Sequence, residues 1–299
     1  MTEAGHCGTV AVVGRPNVGK STLLNRLVGQ KISITSAKPQ TTRYRILGIK
    51  SLPPHQIVYV DTPGLQKRPV KALNRAMNRE TMSAVSDVDL VVLVVEAGRW
   101  TRSDDHVLQR CGSGDRAVLL AINKVDTVRE KGLLLPFIAD CAAKGQFADI
   151  VPVSAQSGDN LDELERCLVE RLPTRPLLFP EDQVTDRSER FMVAEIIREK
   201  LMRNLGQELP YATGVIIDAF KPEGATIHIA ATIWVERSGQ KAIVVGARGA
   251  MLKRIGEQAR LDIERLLDSK VFLRTWVKVR EDWADSATML REMGLNASR

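Results

Sequence analysis

Cysteine and histidine are scarce and carry no pattern. Cys7, Cys111, Cys141 and Cys167 are scattered without C-x-x-C spacing, and His6, His55, His106 and His228 are isolated from one another. That argues against a metal knot or a disulfide framework and favours buried free thiols in a reducing compartment. No apolar run approaches the roughly 20 residues a transmembrane helix needs. The first six residues lack the charged and apolar regions of a secretory signal, and no lipidation motif stands out. The cytoplasm is the expected location.

What is present describes a soluble globular chain: 299 residues, 44% hydrophobic and 26% charged, a length that favours two domains, each with its own core. The formal charge of +7 points to an anionic partner, but its distribution is more telling. Residues 1–172 hold 23 basic against 18 acidic residues, and residues 173–299 hold 20 against 18. In the second half the signs are segregated. Arg237 to Gly256 contains Lys241, Arg248, Lys253 and Arg254 with no acid, and Lys270 to Arg280 adds Arg274 and Lys278, again with none. Segregation of this kind suits nucleic acid.

The stretch Gly14-Arg15-Pro16-Asn17-Val18-Gly19-Lys20-Ser21 follows the apolar run Val10 to Val13 and precedes a helical stretch from Thr22 to Leu27. G-x-x-x-x-G-K-S in a strand-to-helix context is a phosphate-binding loop. Its glycines let successive N–H groups point at a phosphate, and the helix N-terminus adds to the field. Lys20 supplies a charge for the β- and γ-phosphates, and the Ser21 hydroxyl suits Mg²⁺.

Two strands, Ile46 to Lys50 and Gln56 to Val60, are expected next, the second running into Asp61-Thr62-Pro63-Gly64. An acid at the carboxyl end of a buried strand is where an Mg²⁺-associated Asp belongs, and Gly64 N–H can meet a γ-phosphate. Val88 to Glu96, Ala117 to Ile122 and Ile150 to Val153 read as further buried strands. Helical stretches separate them, including Ser103 to Cys111 and Gly132 to Ala143. The series closes on an apolar helix from Asn160 to Leu172, with a capping box expected between Asn160 and Glu163. Such alternation predicts a doubly wound α/β sheet with ligand loops at the strand carboxyl ends.

Asn123-Lys124-Val125-Asp126 and Ser154-Ala155-Gln156 sit at two of those ends. A carboxylate on Asp126 can accept from guanine N1–H and the 2-amino group. Adenine offers no donors there and would leave the carboxylate unpaired. Asn123 can meet the purine edge, Lys124 can lie across the ring, and the Ala155 N–H can reach O6. The expected ligands are GTP and GDP.

This set, with Gln40-Thr41-Thr42-Arg43, resembles the translation-factor-related GTPases. The resemblance implies that Thr42, rather than Thr41, is the switch threonine that closes on Mg²⁺ and the γ-phosphate. Residues near 31–45 and 62–75 would then be mobile switches. It also implies that Asn17 helps hold a K⁺ ion that does the work of an arginine finger. Leu65 stands where many such GTPases carry a water-orienting Gln, so unaided hydrolysis is expected to be slow. The catalytic set implied is Asn17, Lys20, Thr42 and Gly64, with Ser21, Thr42 and Asp61 as metal ligands. Around them Gly14 to Thr22, Asp61 to Gly64, Asn123, Lys124, Asp126, Ser154 and Ala155 make the nucleotide site.

Pro173, Pro176 and Pro180 punctuate an expected extended linker over 173–189. Helical periodicity returns from Glu189 to Leu205, and strands are expected from Thr213 to Phe220 and from Ala225 to Val235. Gly246-Ala247-Arg248-Gly249 then stands between an apolar run and a basic amphipathic helix, the fingerprint of a KH domain. A strand over Val271 to Arg280 puts Arg274, Trp276, Lys278 and Arg280 on one face. The RNA-contacting residues expected are Lys241, Gly246, Ala247, Arg248, Gly249, Lys253, Arg254, Arg274 and Lys278. The order resembles the type II KH arrangement, which calls for a helical turn before Gly246, whereas Ala242 to Val245 reads as strand; both readings stand at this point.

Across essentially the whole chain the sequence resembles a bacterial family in which one P-loop GTPase domain (1–172) precedes an α+β type II KH domain (190–299). Phe179-Pro180-Glu181-Asp182, Thr185-Asp186-Arg187-Ser188, Glu195 to Lys200 and Glu208-Leu209-Pro210-Tyr211 also fit that family. It implies binding to 16S ribosomal RNA near its 3′ end, a role in assembly of the 30S subunit, some peripheral association with the inner membrane, and a monomer. The competing reading is a membrane-surface GTPase coupling growth or cell-cycle signals, its second domain merely basic. Salt-sensitive liposome binding without competition by RNA would favour it. A third, an RNA module with a vestigial nucleotide site, is opposed by intact Lys20, Ser21, Asp61 and Asp126.

Overall fold

A computed structural model describes residues 5–36, 38, 41–63, 72–111, 116–206 and 209–295, with backbone alone for 80 and 82–86. Gln40, Gly64, Leu65 and Glu208, singled out above, lie outside the described residues. Contacts gather the described parts of 1–33, 42–66 and 78–186 into one unit and those of 34–41, 67–77 and 187–299 into another.

The first unit is built on a six-stranded sheet. Its strands are β1 (Cys7–Val13), β2 (Ile46–Leu52), β3 (His55–Asp61), β4 (Leu90–Glu96), β5 (Ala117–Asn123) and β6 (Asp149–Pro152), in the order β2-β3-β1-β4-β5-β6. All pair in parallel except β2, which runs antiparallel to β3. The apolar runs of β1, β4 and β5 are buried on both faces, as continuous rather than alternating hydrophobicity requires. Helices α1 (Lys20–Val28), α2 (Ala72–Ser86), α3 (Arg102–Cys111), α4 (Leu134–Ala142) and α5 (Leu161–Val169) fall between strands or after the last; the sequence reading had no counterpart for α2. With β3 and β4 flanking β1, the loops after all three open on the same end of the sheet.

The stretch expected as a linker is fixed to this unit as far as Asp186. Cys7 N–H donates to Pro173 O, Ile49 N–H to Val184 O, and Leu47 N–H to Asp186 Oδ1. Phe179 packs on the core, and Gln56 Oε1 accepts from the N–H groups of Leu178 and Phe179. Proline spacing forbids helix but leaves an extended chain free to donate and accept along a sheet. The capping box at Asn160 does not form. Asn160 takes left-handed φ (56°) and its amide donates to Pro152 O, while Glu163 pairs with Arg166.

The second unit orders α6 (Glu189–Asn204), β7 (Gly214–Glu223), β8 (Thr226–Val235), α7 (Ser238–Val245), α8 (Ala250–Leu267), β9 (Lys270–Val279) and α9 (Ala287–Glu292). Its sheet runs β7-β8-β9, antiparallel then parallel. Val193, Ile196 and Ile197 of α6, Val244 of α7, and Ile255, Ala259 and Ile263 of α8 cover one face of it. There they meet Val215, Ile217, Ile229, Ala231, Ile233, Val271 and Val277.

Helix α6 is buried nearly all round, so its charges are paired. Arg198 is clamped by Glu195 at 2.6 Å and donates to Thr41 O, Glu199 accepts from Thr35 N–H, and Lys200 pairs with Glu199 and Asp262. An unpaired charge at such depth would be strongly destabilising.

Residues 242–245 are helical, which corrects the strand reading and resolves the conflict in favour of the type II KH order. Gln240 Oε1 accepts from the N–H groups of Glu236 and Arg237, satisfying donors at the helix entry. Val244 is buried in the core while Ile243 stays 57% exposed. Packing and capping here outweigh the β-propensity of Ile-Val-Val.

Candidate functional site

The phosphate loop leaves β1 at Gly14 and enters α1 at Lys20. Asn17 and Gly19 both take positive φ (67° and 100°), which turns the loop amides inward. A Cβ on Gly19 would lie 2.3 Å from Asn123 Nδ2, so only glycine lets the loop pass beneath that side chain. Lys20 Nζ donates to Gly14 O (3.0 Å) and Arg15 O (3.1 Å). Burial lowers its pKa to about 8, against the pull of Asp61. A cation so desolvated gains strongly from a phosphate.

Asp61, at the end of β3, is fully buried. Its Oδ2 accepts from Ser33 Oγ (2.7 Å), Ser21 Oγ (3.0 Å) and Thr42 Oγ1 (3.4 Å), and Ser21 and Thr42 are themselves 2.9 Å apart. Burial raises the Asp61 pKa, opposed by these hydroxyls and by Lys20. Its Oδ1 is buried and has no hydrogen-bond partner. Three of these groups, Ser21, Thr42 and Asp61, are the expected metal ligands, and the structure brings them together. Ser33 belongs to the same cluster and was missed; eight residues from Asn25 in a polar stretch, it carries no motif signal. Thr62 is buried and donates to Val12 O, and Thr41 Oγ1 donates to Lys38 O.

At the carboxyl end of β5, the Asn123 amide bridges two loops of the protein. Nδ2 donates to Val18 O (2.8 Å) and Oδ1 accepts from Ala155 N–H (2.9 Å), tying the phosphate loop to the loop after β6. Asn123→Ala would leave two buried backbone groups unpaired, at about 1–3 kcal/mol each. A lowered melting temperature and weaker guanine-nucleotide binding are expected together, with Asn123→Asp intermediate because it keeps the acceptor; an unchanged melt would contradict this.

Asp126 is exposed, with Ser154 Oγ donating to its Oδ1 at 2.6 Å. Lys124, at φ 69°, pairs with Glu96 at 2.8 Å. Glu96 also receives Arg15 at 2.6 Å, and Arg15 reaches buried Asp104 at 3.2 Å. Burial would raise the Glu96 pKa, but Lys124 and Arg15 hold it below the usual range. This lattice links the phosphate loop to the base loop through residues 81 and 89 positions apart, beyond the reach of local pattern.

In the second unit Gly246 (φ 72°) ends α7 and Gly249 (φ 81°) opens α8, with Gly249 N–H donating to Gly246 O at 3.1 Å. A Cβ on Gly246 would lie 2.7 Å from Met251 Cβ, whereas one on Gly249 would meet nothing within 4 Å. Lys241, Ala247, Arg248, Lys253 and Arg254 are exposed around this loop. Arg254 also lines a cleft of about 380 Å³ with Lys200, Arg203 and Arg265. Arg274 and Lys278 do not join them. They stand on the sheet face opposite the helices, because the core-facing residues of β9 are Val271 and Val277.

Residues 9–124 match the family described as 50S ribosome-binding GTPase, and residues 208–284 match the KH domain. GTPase Era of Pseudomonas aeruginosa is 54% identical over 288 residues, spanning 96% of this chain and 94% of the relative. The chain belongs to the Era family of GTPases. Era of Stenotrophomonas maltophilia is 52% identical over 97% of both chains. Two solved Era structures superpose with a TM-score of 0.93 over 97% of this chain: an Aquifex aeolicus variant bound to GDP·AlF4⁻ (37% identical), and Era with MgGDPNP and nucleotides 1506–1542 of 16S ribosomal RNA (38% identical). Family membership accounts for the single phosphate loop followed by a type II KH unit. Among the described residues no helix is long and apolar enough to cross a membrane, and no cluster of three or more His, Cys, Asp or Glu side chains is arranged for a metal. A Mg²⁺ site made of hydroxyls and one carboxylate falls outside that second description.

Proposed function

We propose that this chain binds and hydrolyses GTP and binds 16S ribosomal RNA near its 3′ end, acting in assembly and maturation of the 30S subunit. The observation that carries the reading is the hydroxyl-ringed Asp61 beside the phosphate loop, in a chain whose other unit presents an open Gly246–Gly249 turn among cations.

The amides of Gly14 to Thr22 and the Lys20 ammonium hold the phosphates. Asp126 accepts from the guanine edge, Ser154 keeps that carboxylate oriented, and Ala155 together with Asn123 shapes the pocket wall. Ser21, Thr42 and Asp61 would hold Mg²⁺; hard oxygen donors and the orphaned Asp61 Oδ1 fit that ion. An ion held by these three residues would supply positive charge to offset that of the nucleotide phosphates. Thr42 closes over the γ-phosphate, with Gly64 N–H supplying a further donor. GTP turnover and crosslinking of the chain to 16S RNA test the two halves separately.

Asn17 fits a role in holding K⁺ at the phosphates, a cation that would compensate for Leu65. Turnover is expected to be faster in K⁺ than in Na⁺ at equal ionic strength, and Asn17→Ala is expected to erase the difference; equal rates in the unmodified chain would remove the idea. The domain limits proposed are 1–172 and 190–299. The family further suggests a cytoplasmic monomer with peripheral inner-membrane association, which flotation with anionic vesicles would test.

A further inference from the structure

The outer row of β9 reads Lys270, Phe272, Arg274, Trp276, Lys278, a cation and an aromatic ring in alternation along an edge strand. Phe272 and Trp276 are 43% and 45% exposed, the two aromatic residues among the exposed large hydrophobics of the described residues. Arg274 Cζ lies 5.0 Å from the Phe272 ring centroid and Lys278 Nζ 5.8 Å from that of Trp234. His228, paired with Phe272 across β8, has its ring centroid 5.2 Å away. Two acids border the face: Asp218 accepts from Thr232, and Glu223 stands 3.6 Å from His228.

Charges on an edge strand discourage strand-to-strand pairing, which accounts for the cations. It leaves the rings unexplained. Exposed aromatics interleaved with cations are what single-stranded nucleic acid uses: rings for bases, cations for the phosphates between them. Four residues of strand set the two ring-bearing positions about 13 Å apart, with Arg274 the position midway, whose guanidinium lies over the Phe272 ring and can meet a phosphate beside a base stacked there.

We propose that this outer sheet face is a second RNA surface, a base-stacking platform separate from the Gly246–Gly249 loop, that takes single-stranded RNA extending beyond the nucleotides the loop holds. The proposal rests on the RNA-binding reading of this unit, and its test separates the two. Full-length protein is titrated with a single-stranded RNA of about four nucleotides, the span of a KH loop, and with one of about sixteen.

Replacing Phe272 and Trp276 together by leucine keeps apolar bulk and removes the rings. It is expected to weaken the long strand about 10–100-fold and leave the short one unchanged. Phe272→Tyr with Trp276→Phe restores the long-strand affinity. Arg274→Glu weakens the long strand as well, a second variant that stands even if the leucine pair melts early. Gly249→Asp weakens both strands. Should the leucine pair and Arg274→Glu bind the long strand as the unmodified chain does while Gly249→Asp does not, the platform is wrong and the loop reading stands. Should Gly249→Asp also bind normally, the loop reading falls on its own.

Discussion

Asp126→Asn is expected to lower GTP affinity by about four orders of magnitude and to convert the site to xanthine nucleotides. Asp126 is exposed and accepts from Ser154 Oγ through Oδ1, which leaves Oδ2 and a second lone pair of Oδ1 for the two donors of a base. Guanine presents two donors there, N1–H and the 2-amino group. An asparagine N–H would face them donor to donor, and a site built on hydrogen bonds discriminates by roughly 10⁴–10⁵ when its groups go unmet. Xanthine carries a carbonyl in place of the amino group and can accept from the new amide. Competition titrations with GTP, XTP and ATP read the effect. Because Asp126 is a surface residue, the melt of the variant should barely move. Undiminished GTP binding would show that the carboxylate does not read the base.

Gly249→Asp is expected to weaken single-stranded RNA binding by one to two orders of magnitude while GTP affinity stays within about twofold. The two glycines of the loop differ in what holds them. Gly246 is glycine for packing, since a Cβ would collide with Met251. Gly249 faces open space, and its φ of 81° is one that aspartate tolerates better than most residues. A carboxylate there therefore adds bulk and like charge where the backbone of RNA approaches, with only about 1 kcal/mol of strain. Gly246→Ala, by contrast, should lower the melting temperature as well as RNA binding. Loss of GTP binding in Gly249→Asp would contradict the division of labour.

The local motifs were legible because each is a short run whose neighbours in sequence are also neighbours in space. The phosphate loop, Asp61 at the end of β3 and Asn123 to Asp126 at the end of β5 all fall where strand periodicity puts them. What the sequence hid is long-range or cooperative. Ser33 joins Asp61 only through the fold, and Arg15 meets Glu96 and Asp104 across separate loops. The Ala155 N–H was expected at O6, yet it donates to Asn123 Oδ1, while Asn123 Nδ2 gives one of its two hydrogens to Val18 O and keeps the other for the purine edge.

Residues 242–245 look like strand because three β-branched side chains follow one another, and helix wins through Gln240 and the burial of Val244. Alternation along β9 was readable. That it turns Arg274 and Lys278 away from the Gly246–Gly249 loop depends on which face the helices cover, which no single strand reveals.

The central claim is that one chain joins a guanine-specific switch to a grip on the 3′ region of 16S ribosomal RNA. Crosslinking of the full chain to small-subunit RNA in the presence of GTP, with both partners' crosslinked positions mapped, tests it most directly. Contacts joining the RNA 3′ region to residues 241–254 are the predicted result. Crosslinks scattered along the RNA without preference, or confined to parts of the chain outside the KH unit, would contradict it.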